Sequence, residues 1–260
     1  MGDITNKPER YWEIDALRGI AILGMLVVHF FAFIVIFHWI EETPEFLAVY
    51  NLYVFGTAIF VIVAGVAMIL RHDRMAGKTN REYYFALFSR AVFLFGIAMA
   101  ITVATWIGFN TFMGQSGAII FGFLHMLSIS MMIAIPLLRF GKWNIVIGLF
   151  LIALGLLVIP LFDGPWWLFA FGIQSPDFYV GPDYFGLLPW SGVLLLGIGL
   201  GSIFYPNGKR GFSFPSPKKI GRFFQTVGNG RVTLFIYLTH APVMLVILYL
   251  ISVCTGFGYL

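Results

Sequence analysis

Seven stretches of this chain are apolar for as long as a helix needs to cross a bilayer. A hydrocarbon core of ~30 Å requires roughly 20 helical residues. Only 11% of the side chains are charged, against about 25% in ordinary soluble domains. The sequence therefore predicts an all-α fold, a polytopic membrane helix bundle that forms a single domain over residues 1–260. The predicted spans lie near 17–39, 49–70, 89–109, 117–138, 144–163, 186–205 and 231–252.

The basic residues predict which way this bundle is inserted. All 16 Lys and Arg side chains lie in segments that alternating spans place on one side, whereas the opposite connections are acidic or neutral. Because short basic connections stay cytoplasmic, we expect a cytoplasmic N-terminus and an external C-terminus. An anionic leaflet accounts for the basic segments, so we expect no nucleic-acid partner. The basic segments are the N-terminus up to Arg18, then Arg71 to Arg90, Arg139 to Lys142 and Lys209 to Arg231.

Cysteine usage gives no sign of a metal or redox site. The chain contains one cysteine, Cys254, so no internal disulfide can form. No spacing of cysteine and histidine is typical of a zinc or redox site. We therefore expect no metal cofactor.

Three histidines fall at similar depths in three different predicted spans. At ~1.5 Å of rise per helical residue, His29 lies ~16 Å from the inner boundary, His240 ~14 Å and His125 ~21 Å. His38 instead lies at the outer mouth of the first span. Ionisable side chains within a membrane usually face the bundle interior or a water-filled cavity, where they mark function. The three imidazoles therefore predict an interior site.

Asp15 and Arg18 extend this predicted site towards the cytoplasm. Eleven residues make almost three helical turns, so Arg18 and His29 project from nearly the same face. Asp15 precedes Arg18 at the favourable i, i+3 spacing, which gives a polar stripe running into the membrane. A simpler interpretation stays open, in which Asp15 and Arg18 form an interfacial ion pair and each histidine merely bonds a neighbouring helix.

Five segments resemble, in order, motifs of the heparan-alpha-glucosaminide N-acetyltransferase catalytic-domain family, whose members are transmembrane acyltransferases. The resemblance covers nearly the whole chain, and its histidine-bearing segments are the most specific. These segments are "RYWEIDALRGIAILGMLVVHF" from Arg10, "FVIVAG" from Phe60, "FGFLHMLSIS" from Phe121, "DYFGLLPWSGVLLLGIGLG" from Asp183 and "GNGRVTLFIYLTHAPV" from Gly228.

The resemblance implies acetyl transfer from cytosolic acetyl-CoA, used as a co-substrate, to an amino-sugar or related glycan or lipid-linked acceptor on the far side. It implies a multi-pass protein of the lipid bilayer, in the plasma membrane of a prokaryote, and leaves a homodimer open. His29 is the first candidate for catalysis, and His38 is the second. The candidates for binding acetyl-CoA or the acceptor are Asp15, Arg18, Arg90, His125 and His240.

Two other classes of function compete with this interpretation. A transporter or non-catalytic membrane subunit would use the three histidines as a proton or solute path. A haem b protein would use two histidines from different helices as axial ligands. Transfer of label from acetyl-CoA distinguishes the first from an enzyme, and absorption by haem tests the second.

Overall fold

The structure is a computed structural model, and the part of the chain that it describes is almost entirely helical. Within that part there is no β-strand, only an isolated bridge between Ser175 and Phe178. The described residues are 11–36, 38–41, 43–51, 53–74, 80–113, 117–175, 178, 181, 183–213, 215 and 219–256. The helices are α1 Trp12–Ile36, α2 Pro44–Asn51, α3 Tyr53–Arg74, α4 Asn80–Gly108, α5 Phe123–Ala134, α6 Asn144–Ala153, α7 Leu187–Phe204, α8 Lys219–Val227 and α9 Gly230–Thr255.

Among the described residues, six helical segments are long and apolar enough to cross a membrane, and each coincides with a predicted span. This confirms the all-α, membrane-spanning class. The remaining window, 117–138, contains α5, which has 12 residues and is therefore only ~18 Å long. The count of seven spans and the orientation stay predictions. The six segments are Trp12–Val35, Phe46–Asp73, Arg81–Thr111, Leu138–Leu161, Leu187–Phe204 and Gly230–Thr255.

The chain divides into two compact units. Unit 1 comprises Met1–Val63 and Phe214–Leu260, and unit 2 comprises Ala64–Ser213. Unit 1 brings together the two ends of the chain, because α8 and α9 pack against α1. The prediction of a single domain over residues 1–260 stays a prediction.

Within unit 1, glycines allow the corner between α8 and α9 to lie directly against α1. A Cβ atom on Gly228 would fall 1.6 Å from the Asp15 carbonyl oxygen, and one on Gly19 would fall 2.2 Å from the Phe224 carbonyl oxygen. Both distances are far below any real contact, so the two backbones meet where no side chain fits. Asn229 then starts α9 as its N-cap, since its side chain accepts from Arg231 N–H at 3.2 Å.

The C-terminal end of α1 closes in a Schellman motif with His38 in the left-handed conformation. His38 has φ 56, its N–H donates to Val35 O at 2.8 Å, and Trp39 N–H donates to Ile34 O at 2.9 Å. This is the bonding pattern of that motif. Trp39 Nε1 also donates to Ser252 Oγ at 3.0 Å, which links the ends of α1 and α9.

Within unit 2, α6 and α7 cross at small residues. Cβ atoms on Gly148 and Gly192 would each fall 2.6 Å from the other glycine's carbonyl oxygen. Such crossings are common in membranes, where close backbone contact rather than the hydrophobic effect drives helix association. The long α4 packs on α5 in the same unit.

The predicted orientation can be tested with single cysteines. In a Cys254→Ser background, Lys219→Cys should react with an impermeant maleimide only from the cytoplasmic face, and Glu41→Cys only from the external face. Both positions are exposed, and the difference follows from retention of basic connections inside. External labelling of Lys219→Cys would contradict the orientation.

Candidate active site

His29 lies on α1 with one ring nitrogen committed to its own helix. Its Nδ1 is 2.9 Å from the Met25 carbonyl oxygen, one turn earlier. Because a carbonyl oxygen only accepts, Nδ1 must carry the hydrogen, and in the neutral ring Nε2 then carries a lone pair. The tautomer of His29 therefore leaves Nε2 as its basic atom.

His240 lies on α9 in the same arrangement. Its Nδ1 is 2.7 Å from the Tyr237 carbonyl oxygen, so its Nε2 also carries the lone pair. That Nε2 is buried and has no hydrogen-bond partner among the described residues. Buried side-chain nitrogens are paired in most proteins, and such an exception marks a candidate functional atom.

The two imidazoles form a contacting pair in unit 1. Their ring centroids are 4.7 Å apart with an interplanar angle of 89°, and Phe33 packs on the edge of His29 at 6.2 Å. The structure thus brings together two of the three histidines whose depths suggested a site. The pair offers two basic nitrogens, so it can accept a proton or attack an acyl carbon.

The same contact makes haem ligation by this pair unsuitable. Bis-histidine ligation places an iron and a porphyrin between two imidazoles, whereas these rings touch edge to face. Among the described residues there is also no group of three or more histidine, cysteine or carboxylate side chains that could hold a metal ion. A haem between His29 and His240 therefore does not fit their direct ring contact.

Asp15 and Arg18 form the predicted ion pair, and they also hold the corner between α8 and α9. Arg18 Nη1 donates to Asp15 Oδ1 and to the Gly228 carbonyl oxygen, each at 3.0 Å. Gly228 directly follows the C-terminus of α8, where the helix dipole favours a cation. Both side chains are largely buried. A structural role is thus shown for Arg18, and its binding of acetyl-CoA stays a prediction.

His125 lies in unit 2 and has the opposite tautomer from the histidine pair. Gly122 N–H donates to its Nδ1 at 3.2 Å, so Nε2 carries the hydrogen and donates to Thr102 Oγ1 at 3.3 Å. Thr102 in turn donates to the Ile119 carbonyl oxygen at 2.6 Å. Nδ1 thus caps the start of α5 and Nε2 bonds Thr102 of α4, so a ligand could engage either nitrogen only by displacing a bond.

Replacing His125 tests this structural role. His125→Ala should lower the free energy of unfolding by about 1–2 kcal/mol, because a helix cap and a buried hydrogen bond are lost. His125→Gln should lose much less, since glutamine at the third helical position can accept from the same backbone N–H. Denaturant titration in mixed micelles would compare them, and equal losses would contradict the capping role.

Asp183 is a partly buried acid at the same helix start, and the predicted site residues did not include it. Its Oδ2 accepts from Phe123 N–H at 3.3 Å. Burial raises the pKa of this carboxyl to about 7, although the bond from Phe123 partly opposes the shift. The sequence pointed to Asp183 only as the first residue of the fourth motif. Its hydrogen-bond partner, Phe123, lies 60 residues earlier, so no local spacing predicts the contact.

The raised pKa of Asp183 predicts a pH dependence of stability. The carboxyl ionises near pH 4 in the unfolded chain but at about pH 7 in the folded protein. Between these values the folded protein keeps a proton that the unfolded chain has lost, so its free energy of unfolding falls as the pH rises. Asp183→Asn should remove this fall. The difference in melting temperature between variant and parent should grow up to about pH 7 and then level off; a constant difference would contradict the shift.

His38 and Arg90 are not part of the histidine pair. His38 is exposed at the end of α1, nine residues beyond His29, or ~13 Å along a helix. Arg90 is an exposed residue of α4 in unit 2. The common depth of His125 with the pair, and the roles of His38 and Arg90, stay predictions.

Comparison with known families supports the resemblance noted in the sequence. The model of the family described as "Heparan-alpha-glucosaminide N-acetyltransferase, catalytic" matches residues 10–242. This range includes both members of the histidine pair and the Asp15–Arg18 ion pair. No curated protein and no solved structure matches the chain significantly.

Proposed function

The chain belongs to the heparan-alpha-glucosaminide N-acetyltransferase catalytic-domain family, and from this premise we propose that it transfers acetyl from cytosolic acetyl-CoA to an acceptor across the membrane. The family points to a membrane acetyltransferase. The side from which acetyl-CoA enters follows from the predicted orientation. The acceptor is an amino sugar, or a related glycan or lipid-linked hydroxyl or amine, on the extracytoplasmic side.

The observation that carries the proposal is the contact between His29 and His240. Direct transfer needs a base for the attacking amine or hydroxyl, and His29 Nε2 has the required lone pair. The acceptor atom forms a bond to the acetyl carbon, the carbon–sulfur bond breaks, and the proton passes to Nε2 and then to the departing sulfur. The Met25 carbonyl fixes the ring so that Nε2 is the atom presented.

A covalent route uses the same atom. His29 Nε2 would bond the acetyl carbon while the carbon–sulfur bond breaks and CoA leaves as a thiolate. The acceptor would then bond the acetyl carbon as the bond to Nε2 breaks, and the acceptor's proton would pass to the thiolate. His240 contributes an acceptor nitrogen in either route. The Nδ1–H of His240 already donates to the Tyr237 carbonyl oxygen, so the ring offers no further N–H to the acetyl oxygen. Its role is therefore to accept a hydrogen bond rather than to donate one.

Acetyl-CoA binding is assigned to basic residues near the cytoplasmic mouth. Guanidinium groups grip phosphates through two parallel charge-assisted hydrogen bonds. Arg90 and Arg18 are the proposed contacts, with Asp15 orienting Arg18. His125 acts by starting α5, and His38 by ending α1. The protein works in the bilayer of a prokaryotic plasma membrane, and a homodimer is its proposed assembly.

Labelled acetyl-CoA tests the proposal in sealed proteoliposomes of known orientation. Radiolabelled acetyl should appear on glucosamine or another amino sugar enclosed on the external side when acetyl-CoA is supplied to the cytoplasmic side. The control supplies acetyl-CoA to the opposite face, where no transfer is expected. Binding of acetyl-CoA without transfer to any amine or hydroxyl acceptor, or proton flux without transfer, would favour the transporter or subunit interpretation.

A further inference from the structure

The short helix α8 lies beside the starts of two membrane-spanning helices of unit 1. The corner that ends α8 touches the backbone of α1 at Asp15 and Gly19, and α9 starts directly after this corner, at Gly230. From there both helices continue to their ends without an Asp, Glu, Lys or Arg, over residues 19–36 and 232–255. The level at which both apolar runs begin is the membrane boundary, so α8 lies at that boundary.

The exposed face of α8 carries two basic side chains. Lys219, Arg222, Phe223 and Thr226 are exposed, and their spacing of three, four and seven residues places them on one face of the helix. The segment Lys219–Val227 contains no acidic residue. In the described part of the chain, neither base is paired with a carboxylate. This face therefore presents positive charge to its surroundings.

Phe223 gives the same face an apolar edge. The residue is 55% exposed, and it lies next to Arg222 in the sequence and one turn after Lys219. With nine residues, α8 is only ~13.5 Å long and too short to cross a bilayer. A helix that combines cations with an exposed aromatic ring is typical of the lipid headgroup region, where it lies parallel to the membrane plane.

We propose that this face of α8 binds anionic phospholipids. Lys219 and Arg222 would attract the negative headgroups, and Phe223 would enter the adjoining acyl region. A lipid held here also braces the corner between α8 and α9, because that corner contains Gly228, whose carbonyl oxygen accepts from Arg18. The proposal concerns unit 1 alone and does not depend on acetyl transfer.

Quenching of a fluorophore on α8 by spin-labelled lipid tests the proposal in the full-length protein in neutral detergent micelles. The fluorophore is attached to Thr226→Cys in a Cys254→Ser background. Phosphatidylglycerol and phosphatidylcholine carry the same spin label on the acyl chain. Half-maximal quenching should need at least about tenfold less phosphatidylglycerol than phosphatidylcholine. Lys219→Gln and Arg222→Gln should each raise the required phosphatidylglycerol about fivefold and leave phosphatidylcholine unchanged.

Two control variants separate a lipid site from general effects of charge and structure. Arg222→Lys keeps the charge and should retain most of the preference for phosphatidylglycerol. Arg139→Gln removes the same charge from an exposed arginine of unit 2 and should change nothing. Melting temperatures show that each variant is folded.

Three results would overturn the proposal. Equal quenching of the parent by the two lipids would show that α8 has no preference for an anionic headgroup. An equal loss in Arg139→Gln and Arg222→Gln would show that only net charge matters. Relief of the quenching by acetyl-CoA at constant ionic strength would assign the face to a soluble phosphate compound instead of a lipid.

Discussion

Replacing His29 with alanine is expected to lower acetyl transfer by about 100-fold or more, the usual contribution of a positioned acid–base group. The substitution removes the imidazole whose tautomer the Met25 carbonyl fixes and whose ring packs against His240. Acetyl-CoA binding should persist, because the proposed phosphate contacts lie on other residues. Initial rates of label transfer in proteoliposomes, together with the Kd for acetyl-CoA, measure the two effects separately.

His38→Asn is the matched control for this prediction. Asparagine tolerates the left-handed conformation that His38 adopts, so the end of α1 is preserved while the imidazole is lost. We expect this variant to retain most of its transfer activity. If His38→Asn abolishes transfer and His29→Ala leaves it nearly intact, the base lies at the C-terminal end of α1 and the His29–His240 contact is structural.

Gly228→Ala is expected to destabilise the protein on the order of 3 kcal/mol, at the upper end of the losses caused by overpacking. The new methyl group would lie 1.6 Å from the Asp15 carbonyl oxygen and 2.6 Å from Gly19 N. Neither neighbour is a flexible side chain, so α8 must move away from α1. That movement would also break the bond from Arg18 to the Gly228 carbonyl. Denaturant titration or the yield of folded protein in mixed micelles would measure the loss.

Gly24→Ala provides the control on α1 itself. No atom lies within 4 Å of the position that its Cβ would occupy, and alanine favours helix over glycine by about 1 kcal/mol. This variant should therefore be at least as stable as the parent. A similar loss in both variants would show that the close approach at Gly228 does not limit stability.

Some features of the candidate site could be predicted because they depend on position along a helix. Counting residues from flanking arginines predicts a common level for His29 and His240, in agreement with their ring contact, and the Asp15–Arg18 pair follows from the i, i+3 spacing. The different tautomers of the three histidines could not be predicted from their positions along the helices. His125 has the same apolar setting as the others in the sequence, yet the bond from Gly122 N–H reverses its tautomer. Asp183 was missed because the helix start that it caps is 60 residues away in sequence.

The sequence by itself determined that this protein is an all-α membrane protein and which family it belongs to. Partition of a segment into a bilayer depends on the sum of its apolar side chains, and a helix pairs its own backbone hydrogen-bonding groups. The membrane-spanning helices can therefore be predicted without knowing which segments pack beside them. Only the tertiary structure decided that His29 meets His240, that Arg18 holds Gly228 and that α8 turns against α1. These contacts join residues about 210 positions apart. Whether such distant segments pack together depends on where glycines allow two backbones to touch. The chemistry of each ring follows from the same contacts, since the partner of one nitrogen decides what the other can do.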